Sequence, residues 1–152
     1  MCIRDRSYAL LDLAEQFPQK LSNTIIIETG GTKGNRKEIL KEELHESLKS
    51  CFKTKTIHSE YGMTELLSQS YSKGNGIFKS PPWKKVLIRD INDPLSFVDN
   101  NITGGINIID LGNIYSCPFI ATQDLGKKYN DDSFSIIGRY DNSDVRGCNL
   151  LV

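Results

Sequence analysis

The sequence predicts an α/β protein in which the end of a parallel α/β layer is joined to a small, mostly antiparallel β subdomain. Between Thr24 and His58 an apolar β-branched run, an amphipathic helical stretch and a second β-prone run follow one another. That is the order of a right-handed strand–helix–strand crossover. After Ser70 the texture changes to short β-prone runs separated by turn residues, among them Gly74-Asn75-Gly76 and Pro81-Pro82. Residues 7–70 are accordingly expected to form an α/β portion and residues 71–152 a β-rich subdomain.

Residues 1–6, Met-Cys-Ile-Arg-Asp-Arg, show no apolar period and no cap. Read back into codons they can be written ATG TGT ATA AGA GAC AG, which resembles the transposon end used in preparing sequencing libraries. They are expected to be a sequencing artefact replacing a lost natural start, and are set aside in reasoning about the fold. An ordinary disordered terminus is the alternative. Tyr8 to Phe17 reads as a short amphipathic helix through Leu10, Leu11, Leu13 and Ala14, stopped by Pro18. Thr24-Ile25-Ile26-Ile27 is a continuous apolar run, expected as a buried parallel strand ended by Gly30-Gly31. A basic loop from Lys33 to Lys37 follows. From Leu40 to Phe52 the positions Leu40, Leu44, Leu48, Cys51 and Phe52 recur at helical spacing, with Glu42, Glu43 and Glu46 in the first turns. Lys55-Thr56-Ile57-His58 is a second short strand. Further strands are expected at Lys85 to Arg89, Ile106 to Asp110, Phe119 to Thr122 and Phe134 to Ile137, arranged as a meander.

The composition excludes several classes. With 152 residues, 38% hydrophobic and 25% charged, the chain can build a packed core and is not compositionally disordered. Lys plus Arg equals Asp plus Glu at 19 each, so no field for nucleic acid or a membrane surface is expected. No apolar run approaches the length of a membrane span. Cys51, Cys117 and Cys148 are scattered without zinc spacing, which fits a reducing cytoplasm. His45 and His58 lack a partner motif and are expected to be solvent-facing or packed.

The chemistry-bearing residues fall in three segments: Tyr61-Gly62-Met63-Thr64-Glu65, Thr122-Gln123-Asp124-Leu125-Gly126 and Gly138-Arg139-Tyr140-Asp141. Together they could hold a magnesium nucleotide. Tyr61 offers a flat apolar face, Gly62 a close backbone approach, Thr64 a hydroxyl donor and Glu65 a hard oxygen for Mg2+. Asp124 can accept two ribose hydroxyls, and Arg139 suits ribose or phosphate oxygens. Each has a plainer alternative. Thr64 could cap a helix whose dipole Glu65 favours, Asp124-Leu125-Gly126 could be a simple turn, and Arg139 with Asp141 could be surface charges. Gly30-Gly31 and Tyr61 both stand at carboxyl ends of the expected parallel strands, where ligands gather in such sheets.

In this order the three segments resemble the adenylate-forming enzymes, which activate carboxylic acids as acyl-AMP. The stretch Glu28-Thr29-Gly30-Gly31-Thr32-Lys33-Gly34, followed by Lys41-Glu42-Glu43-Leu44-His45, is similar to acyl-protein synthetases of the LuxE type, with phenylacetate–CoA ligases as more distant relatives. The resemblance covers roughly Ile25 onward. It implies part of the large domain of such an enzyme, with Tyr61 against adenine, Gly30 and Gly31 lining the adenine pocket and Asp141 at a hinge. Gln123 stands where the family usually has glycine. ATP and Mg2+ are the implied cofactors. The implied partners are a fatty or other carboxylic acid and a thiol acceptor, whether protein cysteine, carrier or CoA.

The family's phosphate loop would lie upstream and its mobile C-terminal subdomain downstream, so this chain alone is expected to be inactive. Cys148 is a speculative acyl acceptor, with Arg139 and Arg146 near it in sequence to favour the thiolate; a small residue in a terminal strand is the plainer reading. Two other classes stay open. One is a catalytically silent nucleotide- or acyl-binding module of a larger assembly, the other a structural α/β interaction domain.

Overall fold

In the computed structural model, which describes residues 1–30 and 39–140, the described chain divides into two compact units. One comprises residues 1–61 and 72–75, the other residues 62–71 and 76–140.

The first unit repeats a strand–helix crossover twice. Strand β1 (Cys2–Arg6), helix α1 (Ser7–Gln16), strand β2 (Ile25–Thr29), helix α2 (Lys41–Phe52) and strand β3 (His58–Tyr61) follow in order. β1 pairs parallel with β2, Cys2 opposite Ile25 through Arg6 opposite Thr29, and β2 pairs parallel with β3. Cys2–Arg6, within the segment read as an artefact, form the strand at the edge of this sheet. A short run without apolar period can still join an edge by backbone pairing, because ladder hydrogen bonds ask little of side chains.

The core of this unit forms where the apolar stripes of both helices meet the sheet: Leu10, Leu11, Ala14, Ile26, Leu44, Leu48, Phe52 and Ile57. Strand β2 is buried on alternate residues. Ile26 and Glu28 are enclosed while Ile25 is 53% exposed. The continuous apolar run is thus half-buried rather than covered on both faces, since α1 and α2 share one face. The second strand falls at His58–Tyr61, a few residues beyond the expected Lys55–His58. Helix α2 runs on to Lys53, which adopts a left-handed conformation at φ 48 and donates its N–H to the Lys49 carbonyl.

The short strand β4 (Ser70–Ser72) comes next along the chain. In the second unit the β-prone runs follow as β5 (Ile77–Lys79), β6 (Lys84–Arg89), β7 (Thr103–Asp110), β8 (Phe119–Lys128) and β9 (Phe134–Arg139). β6 to β9 form an antiparallel meander, and β5 pairs antiparallel with β9. The expected meander is present, with β7, β8 and β9 longer than their apolar runs. Alternation sets its core: Val86, Ile88, Ile106, Ile108 and Phe134 are buried, with the Phe78 ring 5.6 Å from that of Phe134. The fold class is therefore α/β as the sequence predicts. Among the described residues, no helix is long and apolar enough to cross a membrane.

Candidate functional site

The parallel strands of the first unit end in chemistry-bearing residues. Thr29 is the register partner of Glu60, so Gly30 and Tyr61, the next residue of each strand, sit at neighbouring carboxyl ends. Gly30 has φ 71, a left-handed turn that glycine adopts without steric cost. Tyr61 is only 4% exposed. Gly31 lies outside the described residues, as do Asp141, Arg146 and Cys148.

Behind Gly30 lies a polar cluster that the sequence reading missed. Glu28, 1% exposed, accepts from the Ser7 hydroxyl at 3.0 Å and pairs with Lys41 at 2.9 Å. His45 Nε2 stands 3.4 Å from both Glu28 Oε1 and the Ser59 hydroxyl. Both contacts use one ring nitrogen, so this is not a relay, which would need the two nitrogens on different partners. His45 is instead a packed, hydrogen-bonded histidine. Burial raises the Glu28 pKa, but the hydrogen bond to His45, the charge of Lys41 and further hydrogen bonds from Ser59 and Lys41 outweigh it and hold the carboxyl at about 2. Ser7 also lies 2.7 Å from the Gly30 carbonyl, linking the cluster to the turn. An acid directly after three isoleucines was the available signal, because a charge on the buried face of a strand must be paired.

Thr64 and Glu65 occupy the two corners of a β-turn closed by the Leu66 N–H on the Met63 carbonyl at 3.1 Å. Both are exposed, and no helix begins there, so the helix-cap alternative for Thr64 does not hold. A hydroxyl and a carboxylate are thereby presented to solvent side by side. Among the described residues, no three His, Cys, Asp or Glu side chains converge as metal ligands. A Mg2+ ion at Glu65 would need phosphate oxygens and water to complete its shell. Gly62 does not face open space. A Cβ there would come 1.5 Å from Gln69 Oε1, a buried acceptor with no hydrogen-bond partner among the described residues.

Asp124 and Arg139 are brought together. They are register partners on β8 and β9, with Arg139 Nε 3.6 Å from Asp124 Oδ1. Asp124, expected after a strand or in a turn, lies within β8. Gly126 accounts for the difference: it sits at a bulge in the β8–β9 ladder, where a Cβ would come 2.6 Å from the Ser135 carbonyl. Asp124 is 2% exposed, and its N–H donates to the Thr122 hydroxyl at 3.1 Å. Gln123 accepts from Arg139 Nη2 at 2.9 Å, so the residue in the glycine position holds the arginine. Arg89, also missed, donates to the carbonyls of Ile106 (3.0 Å) and Thr122 (2.6 Å) and to Asn107 Oδ1 (2.7 Å). Its guanidinium lies 5.3 Å from the Tyr140 ring centre.

A second polar cluster lies at the end of β7. Asp110, fully buried, accepts from the Ser68 N–H (2.8 Å) and hydroxyl (2.6 Å) and from the Gly112 N–H (3.1 Å). Burial opposes its ionisation, but these donors prevail and lower its pKa. Lys84 Nζ donates to the Ser68 carbonyl at 3.0 Å, and burial pushes its pKa down to about 8 against the raising effect of Asp110.

No family model and no curated protein matches the chain. Solved structures do. Apo MatB from Rhodopseudomonas palustris aligns at TM-score 0.67 and 14% identity over 93% of this chain and 31% of that one. O-succinylbenzoate coenzyme A synthetase (MenE) from Bacillus subtilis, in complex with ATP and magnesium ion, aligns at TM-score 0.63 and 18% identity over 91% of this chain and 31% of that one. Coronafacic acid ligase from Pectobacterium brasiliense aligns at TM-score 0.63 and 19% identity, covering 91% and 29%. The chain has the fold of a part of these proteins and spans about a third of their length.

Proposed function

We propose that the chain is part of an adenylate-forming ligase. The ATP α-phosphorus is attacked by a substrate carboxylate, giving acyl-AMP and pyrophosphate; a thiol then displaces AMP to leave a thioester. The observation that carries this reading is the fold likeness to ligases over 91% or more of the chain, in a sequence that holds the three segments in order. MenE is recorded with ATP and magnesium ion and, as a double mutant, with a product analogue carrying a CoA moiety, which supports the same ligand classes here.

In this reading Thr64 donates to the α-phosphate or the substrate carboxylate, and Glu65 ligates Mg2+. Asp124 and Arg139 hold the ribose, while Tyr61, Gly62, Gly30 and Gly31 line the base. Asp141 marks the hinge. Bound metal would neutralise phosphate charge, and this chain's groups would act by positioning. A fatty acid as substrate, a protein thiol as acceptor and Cys148 as acyl carrier form the finer version, resting on the resemblance to LuxE-type synthetases.

A silent binding module is the second reading. Acid-dependent exchange of labelled pyrophosphate into ATP by the complete gene product separates the two. Exchange supports the ligase, whereas nucleotide binding without exchange supports the module. For this chain alone, a dissociation constant of about 10 μM would raise stability by ~2.7 kcal/mol at about 1 mM nucleotide. No shift in melting temperature of the complete gene product with nucleotide, together with no exchange, would sink both readings.

A further inference from the structure

We infer that Asn113 and Asp110 are positioning residues that hold the Thr64–Glu65 turn in the geometry a magnesium nucleotide would meet. The inference rests on the ligand role proposed for that turn, but its observations are independent of it. The turn is gripped at its second corner and again three residues further on. Asn113 Nδ2 donates to the Glu65 carbonyl at 2.8 Å and to the Cys117 carbonyl at 3.2 Å. Three residues on, every polar atom of Ser68 is engaged. Its N–H and hydroxyl donate to Asp110, its carbonyl accepts from Lys84, and its hydroxyl also accepts from Trp83 Nε1 at 2.9 Å.

One carboxylate couples the two grips. Asp110 Oδ1 accepts both from Ser68 and from the Gly112 N–H, which caps the 3-10 turn Leu111–Asn113 presenting Asn113. Asp110 therefore sets the position of Asn113 as well as that of Ser68. Asp110 is fully buried and Asn113 is 6% exposed, so these bonds form in a medium that strengthens them and penalises slack. Leu66, 3% exposed, anchors the turn by packing but does not fix its rotation. Directional bonds to the Glu65 carbonyl and to Ser68 do. The bond reaches the Glu65 backbone carbonyl and not its carboxylate, so Asn113 acts on the side chain only by fixing the turn that carries it.

The test compares two ligands on the complete gene product, Mg2+–ATP and metal-free AMP, by calorimetry, with amide hydrogen exchange at Leu66. Asn113→Ala should weaken Mg2+–ATP by a few-fold, short of the ~10-fold or more that losing a direct partner of a metal ligand costs, leave metal-free AMP unchanged, and speed exchange at Leu66. Unchanged Mg2+–ATP affinity or unchanged exchange overturns the inference, and so does an equal loss for both ligands, which is general destabilisation. Should Asn113→Ala not fold, Ser68→Ala keeps the Ser68 N–H bond to Asp110 and should show the same ligand-selective loss in weaker form. A complete wild-type protein that binds neither ligand overturns the proposed function and the ligand role of the clamp together. Binding by the wild type with no selective loss in the variants overturns the clamp alone.

Discussion

Asp124 and Arg139 face each other across β8 and β9, register partners with Nε and Oδ1 3.6 Å apart, and the side chains are 3% and 14% exposed. At that distance the contact is an ion pair rather than a hydrogen bond. Removing one partner leaves the other charged in a largely enclosed place. Arg139→Ala is expected to destabilise by about 3 kcal/mol, near the lower end for breaking a buried pair. The more conservative Arg139→Lys should recover part of the stability. Urea titration of both variants reads this, and wild-type stability in Arg139→Ala would show the pair to be inconsequential.

Glu28 makes folding depend on acid. Its folded pKa of about 2 lies below the ordinary 4.5, so its contribution is complete above pH 4.5 and is lost as pH falls from there through 2. The full contribution is on the order of 3 kcal/mol. Glu28→Gln should be less stable at neutral pH and should flatten the fall in unfolding free energy across that window by up to about 1.4 kcal/mol per pH unit. Denaturant midpoints at a series of pH values give the slopes; parallel slopes would count against this.

Two glycines should respond differently to alanine. A Cβ at Gly104 would meet the Arg89 carbonyl oxygen at 2.2 Å, and backbone of a paired strand cannot easily yield. A Cβ at Gly62 would meet only the far end of Gln69, which can rotate away. Gly104→Ala is expected to cost about 2 kcal/mol or more, as overpacking does, and Gly62→Ala clearly less. Thermal unfolding orders them, and a reversed order would refute the contact geometry.

Lys53 ends α2 in a left-handed conformation at φ 48, where a side chain is strained and glycine is not. Lys53→Gly is therefore expected to stabilise by about 1 kcal/mol, less what glycine loses in chain entropy. A lower melting temperature for this variant would contradict the cap assignment.

Much of this was legible in the chain. The stripe Leu44, Leu48 and Phe52 marked α2 because helical spacing is written in the order of residues, and Val86, Ile88, Ile106 and Ile108 marked the meander by alternation. Thr64 and Glu65 were visible as a chemical pair. Their corner positions were not, because a turn closed by Leu66 on Met63 competes with a helix start until packing chooses.

Sequence alone determined the α/β class, the crossover from β2 to β3 and the residue types available for a nucleotide, since periodicity and chemistry are local properties. Tertiary structure decided which charges are paired. Glu28 found Ser7 and Lys41 from elements before and after it, Asp110 found Ser68 forty-two residues away, and Asp124 found Arg139 across a bulged ladder. A buried carboxylate must be compensated, but the donor that does so is set by how strands register and helices land. Those are long-range choices that no window of sequence contains.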